Sequence, residues 1–195
     1  MVLALFSSCR REPNPAPNRT DVAAASSATP PADPGAAATG VDTSAGKTNA
    51  VATILGTDGN KAIVGTVKFA NAQGGVRVVA DINGLSPGEH GFHIHENGDC
   101  SGDGSAAGGH FNPTNKQHGD RDSPDSHVGD MGNIKADDNG HAHLEFVSKK
   151  LALSGANSIV GRAIIVHGGR DDLKSQPSGD SGPRVACGVI TAGGQ

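Results

Sequence analysis

Residues 91–100, GFHIHENGDC, join an alternating strand pattern to the start of a long polar segment. Residues two apart on a strand point to the same face, so His93 and His95 would project together while Phe92 and Ile94 point the other way. Seven short runs of this kind, rich in β-branched residues and separated by Gly, Asn and Asp, cover residues 50–57, 62–69, 76–82, 89–95, 141–147, 158–167 and 184–191. No window shows sustained helical periodicity. The pattern predicts an all-β protein, an antiparallel sandwich or barrel.

Two connections, residues 96–128 and 168–184, are too long for hairpins, and long loops in compact domains are usually functional. The first carries much of an unusual series of nine histidines. After His95 it offers His110, His118 and His127, with Asp130 next. Imidazole with carboxylate suits zinc, and imidazole alone suits copper. The series therefore predicts a metal site.

Spacing alone does not assign His93 and His95 to that site, because HAH at residues 141–143 has the same spacing. The first pair opens a loop that offers further ligands, whereas the second follows a turn and lies in a plain strand. For His141 and His143 we expect a solvated strand face, with an accessory surface metal site as the lesser alternative. His90 is expected to be structural.

The amino-terminal part has a different composition. Residues 10–50 hold six of the eleven prolines, are crowded with Ala, Ser and Thr, and contain no Phe, Leu, Ile or Met. Such a segment cannot bury enough apolar surface to offset its ordering entropy, which predicts a disordered linker. We therefore expect a short leading segment (1–9), a linker (10–50) and one folded domain (51–195).

Six separated segments resemble a known family: GFHIHENGDC, GGHFNP, QHG, SHVGDMGN, GRAIIVHGGRDDL and GPRVACGVI. In this order and spacing they are similar to the copper/zinc superoxide dismutases, over essentially all of residues 51–195. The resemblance implies a Greek-key eight-stranded antiparallel barrel or sandwich with two long functional loops. It also implies an antioxidant enzyme that converts superoxide to oxygen and hydrogen peroxide by alternate reduction and reoxidation of a histidine-bound copper. The alternative is a non-catalytic copper-binding or copper-delivery module on the same fold.

Matched residue by residue, the resemblance implies two metal centres that share one histidine. The copper ligands would be His93, His95, His110 and His167, and the zinc ligands His110, His118, His127 and Asp130. Asp171 would link the two centres by hydrogen bonds, Arg184 would attract and orient superoxide, and His110 would carry a proton during turnover. Cys100 and Cys187 would form a disulfide.

The first nine residues, MVLALFSSC, resemble the end of a bacterial lipoprotein signal in which Cys9 is lipidated. With Cys9 set aside, Cys100 and Cys187 remain as a pair, as expected in an oxidising compartment. We therefore expect an exported protein of bacterial type, in the periplasm or cell envelope, attached to a membrane only through lipid on Cys9. A homodimer is compatible with the sequence. The net charge of −4 and the absence of Trp and Tyr argue against nucleic-acid binding.

Overall fold

The structure, a computed structural model, describes residues 49–193. Its strands are β1 Ala50–Gly56, β2 Val64–Ala72, β3 Gly75–Asn83, β4 Gly88–His95, β5 Asp130–Ala136, β6 Ala142–Ser148, β7 Ala163–His167 and β8 Arg184–Ala192. They form a closed antiparallel barrel in the order β1-β2-β3-β6-β5-β4-β7-β8. The predicted eight-stranded antiparallel barrel is confirmed. The leading segment with Cys9, and the linker up to residue 48, lie outside the described residues.

Buried and more exposed residues alternate along β1, β3 and β6. On β3, Val76, Val78, Ala80 and Ile82 point into the barrel, and the residues between them are more exposed. β7 departs from this rule because all five of its residues are buried. Its outer face is covered by the loop after β4, where Ile165 packs with Ala107 and the two cysteines. That loop is therefore part of the folded domain.

The barrel closes along two unequal seams. β1 and β8 pair at five positions, whereas β5 and β6 pair only through Ala136 and Ala142. The result is two four-stranded sheets, β1-β2-β3-β6 and β5-β4-β7-β8. Both long loops, 96–129 and 168–183, connect strands of the second sheet, and the first contains only a short 3-10 helix, Ser105–Ala107. Within residues 49–193, no helix is long and apolar enough to cross a bilayer.

Two predicted runs differ from the strands at one end by three residues or more, and one strand was not predicted. The strand that was not predicted is β5, because residues 130–136 include Asp, Gly and Asn, which are uncommon in strands. β7 begins at Ala163, five residues later than the run at 158–167, because Gly161 adopts a positive φ of 83° and turns the chain before it. β2 continues three residues beyond its predicted run, to Ala72.

Candidate metal centre

Three neighbouring strands and one loop bring the predicted ligands together. His93 and His95 lie on β4, His167 ends the adjacent β7, and Asp130 begins β5 on the other side. The loop after β4 returns to its own strand, where an isolated antiparallel bridge pairs His110 with His95. All seven predicted ligands are buried.

Four histidine nitrogens point to a common position without a partner among residues 49–193. They are His93 Nδ1, His95 Nε2, His110 Nε2 and His167 Nε2, and the ligand atoms of these four residues lie within 4.8 Å of one another. Buried polar atoms are rarely left unpaired without a functional reason. The donor set, imidazole alone, fits copper.

The opposite nitrogens of three of these rings are occupied by the protein. His93 Nε2 lies 2.7 Å from Asp171 Oδ2, His95 Nδ1 lies 2.9 Å from the Gly108 carbonyl, and His167 Nδ1 lies 3.1 Å from the Gly182 carbonyl. Each of these oxygens accepts an N–H, which leaves the lone pair of the other nitrogen free for metal. The rings are therefore oriented as ligands.

A second group converges on one carboxylate oxygen. Asp130 Oδ1 lies 2.8 Å from His110 Nδ1, 3.0 Å from His118 Nδ1 and 3.2 Å from His127 Nδ1. Ligands held about 2.05 Å from a tetrahedral zinc are separated by roughly 3.3 Å. The three nitrogens and one oxygen therefore fit zinc, and His110 belongs to both groups because its two ring nitrogens face different centres.

Asp171 connects the two groups through its two oxygens. Oδ2 contacts His93 Nε2 on the copper side, and Oδ1 lies 2.9 Å from His118 Nε2 on the zinc side. The backbone of Asp171 is held by Asn133, whose Oδ1 accepts its N–H at 2.7 Å and whose Nδ2 donates to its carbonyl. Gly179 packs against the carboxylate so closely that an added Cβ would lie 1.9 Å from Oδ1.

Arg184 shares a cavity of about 400 Å³ with three of the copper-side histidines, His95, His110 and His167. The pairing of β7 with β8 sets Arg184 directly opposite His167. Its guanidinium donates to the carbonyls of Gly104 and Gly108 in the loop after β4. Burial lowers the pKa of Arg184 below its usual value, but an arginine side chain remains a cation at neutral pH.

A disulfide joins that same loop to the strand of Arg184. Cys100 and Cys187 are bonded, with their Cα atoms 5.7 Å apart. Cys187 lies on β8, three residues after Arg184, and Cys100 lies near the start of the loop that supplies the two carbonyls. The predicted pairing of Cys100 with Cys187 is present.

Comparison with known proteins identifies the family of this chain. Residues 63–190 match the family described as copper/zinc superoxide dismutase (SODC). The chain belongs to the copper/zinc superoxide dismutase family. Dismutases similar to it include one from Onchocerca volvulus, 42% identical over 75% of this chain and 97% of that protein, and one from Yarrowia lipolytica, 45% identical over 68% and 92%.

An extracellular superoxide dismutase of Brugia pahangi is 42% identical over 72% of this chain and 74% of its own length. The solved structure of the clock protein EA4 superposes with a TM-score of 0.68 at 41% identity, covering 74% of this chain and 94% of that one. The chain is thus a copper/zinc superoxide dismutase, with copper held by His93, His95, His110 and His167. Zinc is held by His110, His118, His127 and Asp130.

The pKa values of the metal-free site follow from burial and from the carboxylates. Burial lowers the pKa of His93 to about 3, of His95 to about 2 and of His167 to about 4. Burial also opposes charge on His118, but hydrogen bonds to Asp130 and Asp171 outweigh it and raise its pKa to about 9. The copper-side nitrogens are therefore neutral and ready to bind metal at physiological pH.

The two site carboxylates stay ionised. Burial alone would raise the pKa of Asp130, but hydrogen bonds from its three histidine neighbours hold it far below its usual value. Hydrogen bonds from His118 and His93 likewise lower the pKa of Asp171 against the effect of burial. Both carboxylates therefore supply the negative charge that a pair of divalent cations requires.

The remaining histidines lie outside both centres. The ring nitrogens of His90 lie 2.7 and 2.8 Å from the carbonyls of His167 and Ser86, so this residue braces the backbone of a copper ligand. His141 and His143 are about half exposed on the other sheet, where His143 Nδ1 lies 2.8 Å from Asp81 Oδ1. The surroundings, and not the spacing, distinguished the two histidine pairs.

Sequence reasoning missed several side chains that support the site. Asn133 lies within a segment that carries the resemblance, so its position offered a signal. Gln176 offered none, yet its side-chain amide bonds both the N–H and the carbonyl of His118 at 2.8 and 2.9 Å. Lys150 donates to Ser126 Oγ at 2.5 Å and to the carbonyl of His127 at 2.9 Å, and so anchors the zinc loop to the chain after β6.

Proposed function

We propose that Arg184 is the residue that draws superoxide to the copper side of the site and orients it during dismutation, 2 O2•− + 2 H⁺ → O2 + H2O2. The observation that carries this role is its place in the cavity opposite His167. Two backbone carbonyls hold its guanidinium, and its charge persists because arginine is not deprotonated in proteins. Copper, when bound, supplies the one-electron exchange with superoxide.

The protein's own groups would supply the protons and the order of the site. We propose that His110 Nε2, which faces the copper side and the cavity, would hold a proton destined for peroxide when it is not bound to copper, while its Nδ1 faces the zinc group. Asp171 would keep the rings of His93 and His118 in their ligand orientations. Zinc does no redox chemistry, so its part would be to shape the loop and the shared imidazole.

The test is a dismutase assay on the copper- and zinc-loaded protein, with cyanide as a copper-binding inhibitor. Superoxide dismutases are among the known cases of electrostatic steering, which raises association rates by roughly 10- to 1000-fold. Arg184→Ile should lower kcat/KM by roughly tenfold or more and flatten its dependence on ionic strength, with normal copper content. Arg170→Ile, which removes an exposed arginine paired with Glu89, is the matched control. Loss of copper from the Arg184 variant, or an equal effect of the control, would refute the role.

We also propose that the protein is exported, as a bacterial lipoprotein-type enzyme of the periplasm or cell envelope attached through Cys9. The disulfide supports export, since such bonds persist in oxidising compartments, and the Brugia pahangi relative is named as extracellular. Cys9→Ser should release the full-length protein from membranes into the soluble fraction. Unchanged membrane association of that variant would contradict lipidation.

We also propose that the protein forms a homodimer. Leu55 and Val64 lie opposite each other on β1 and β2 with 58% and 48% of their surface exposed, an unusual pair of large apolar side chains on the outside of the barrel. Burial against a second copy would remove this surface from water. Sedimentation equilibrium should give twice the chain mass for the wild type and the chain mass for Leu55→Asp. A monomeric wild type would refute the dimer.

A further inference from the structure

We propose that His141, His143 and Asp81 form a third metal site, on the outer surface of the barrel, for a borderline divalent cation such as Zn²⁺. Strand register brings the three together. His143 on β6 lies directly opposite Asp81 on β3, and His141 lies two residues earlier on the same face. This face belongs to the sheet β1-β2-β3-β6, whereas the copper and zinc ligands lie on the other sheet and its loops.

The two imidazoles converge on one carboxylate oxygen. Asp81 Oδ1 lies 2.8 Å from His143 Nδ1 and 3.8 Å from His141 Nε2. These distances lie on either side of the roughly 3.3 Å that separates two ligands of a tetrahedral zinc. The cluster is looser than the two buried centres, whose ligand atoms all lie within 4.8 Å of one another. Because the His141 side chain is 46% exposed, its ring is free to rotate and close the group.

The backbone positions of these ligands are already fixed. β3 and β6 pair continuously from Val76–Ser148 to Ile82–Ala142, which holds Asp81 and His143. The turn before β6 holds His141, because Asp137 Oδ1 accepts its N–H at 2.9 Å and the Asp137 N–H donates to its carbonyl at 2.9 Å. Metal binding would therefore order side chains alone, which keeps its entropic cost low.

The local charges leave Asp81 available to a cation. Arg77, on the outer face of the same strand, is engaged by Glu145, with nitrogen–oxygen distances of 2.9 and 2.7 Å. Among residues 49–193, no lysine or arginine lies within 4.0 Å of the Asp81 carboxylate, and its close ionic neighbours are the two histidines. A simple cross-strand ion pair would need one histidine. The second imidazole, whose Nε2 lies 3.8 Å from the same oxygen, is what a metal site needs.

The donor set and the exposure define the ligand. Two imidazoles and one carboxylate suit borderline divalent ions such as Zn²⁺ and Cu²⁺ better than Mg²⁺ or Ca²⁺, which prefer oxygen. With all three side chains about half exposed, water would complete the coordination. The site would load and release ions readily, and its occupancy would leave dismutation unchanged.

The experiment is calorimetric titration of Zn²⁺ into holoenzyme whose copper and zinc content has first been verified by elemental analysis. The wild type should bind one further equivalent. His141→Gln and His143→Gln should each weaken this binding by roughly tenfold or more, because the loss of a ligand costs at least as much affinity as the loss of a residue that only supports one. The double variant should abolish the binding. Asp81→Asn should weaken it too. Asp138→Asn removes a nearby exposed acid of the same turn and should change nothing.

All variants should keep the wild-type dismutase rate, since none of these residues belongs to the metal centre or the cavity. Ni²⁺ added to the holoenzyme should broaden the ring-proton resonances of His141 and His143 before those of other residues. The proposal is wrong if the wild type takes up no further equivalent, or if the double variant binds zinc as the wild type does.

Discussion

Removal of the Cys100–Cys187 disulfide should have a large and calculable effect on stability. The bond joins residues 87 apart in the chain. Closing a loop of that length removes roughly 15 cal/mol/K of entropy from the unfolded chain, so its loss should cost about 4.5 kcal/mol at 25 °C. Domains of this size have a total unfolding free energy of about 5–15 kcal/mol. The replacement Cys100→Ala with Cys187→Ala should therefore remove between about a third and nearly all of the unfolding free energy of the metal-free protein.

The assay is urea unfolding of the metal-free protein, with and without the disulfide. Because the effect arises in the unfolded state, the variant should also show a steeper dependence of free energy on urea, as a less constrained chain exposes more surface. Cys9→Ala, which keeps the bond, is the control. A loss smaller than about 1 kcal/mol would refute the loop-closure reasoning.

The same variant tests how the bond serves the site. Arg184 depends on carbonyls of Gly104 and Gly108 in the loop that Cys100 ties down. At a temperature where the metal-loaded variant is folded, kcat/KM should fall while copper content stays normal. Full activity would mean that the barrel positions Arg184 without help from the disulfide.

Three further outcomes follow from the site. Gly179→Ala should lower the unfolding free energy by more than about 2 kcal/mol and impair metal retention, because φ of Gly179 is 71° and the new Cβ would meet the Asp171 carboxylate. A variant that kept both metals and the wild-type melting temperature would contradict this. Lys150→Met should weaken zinc binding by roughly tenfold in chelator competition. Lys149→Met, which changes an exposed neighbouring lysine, should not. Equal zinc affinities of the two variants would show that Lys150 does not support His127. Metal-free protein should lose stability in urea as the pH falls from 6.5 to 4.5. The folded pKa values of the three copper-side histidines, about 2 to 4, lie below the unfolded value of 6.5, so the stability present above pH 6.5 declines as protons bind the unfolded chain. A midpoint that stayed constant would refute the assignment of buried, neutral rings.

Most of the fold could be predicted from local pattern. Seven of the eight strands coincide with predicted runs. β5 does not, because Asp130, Gly132 and Asn133 are of types that are uncommon in strands, and its pairing with β4 stabilises it instead. The boundary of β7 escaped prediction for a related reason, because Gly161 turns the chain inside an otherwise continuous apolar run. Tertiary contacts decide such cases, and they cannot be read from a window of sequence.

The metal ligands were predictable because their spacing matches a family, whereas their supports were not. Gln176 and Lys150 act on the backbone of zinc ligands from loops far away in sequence. A glutamine or a lysine in a polar loop has no pattern that separates this use from simple solvation. The carbonyls of Gly108 and Gly182, which orient two copper ligands, carry no side-chain signal at all.

The single residue pair between β5 and β6 leaves one seam of the barrel weakly joined, beside the strand that begins with the zinc ligand Asp130. None of the strands of the sheet β1-β2-β3-β6 carries a copper or zinc ligand, although both sheets share one apolar core. All of the copper and zinc ligands lie on the other sheet and its loops, so bound metals would add cross-links to that side of the weak seam alone. A shortage of either metal would therefore be felt first at β4, β5, β7 and their loops, the part of the barrel that the weak seam leaves least supported.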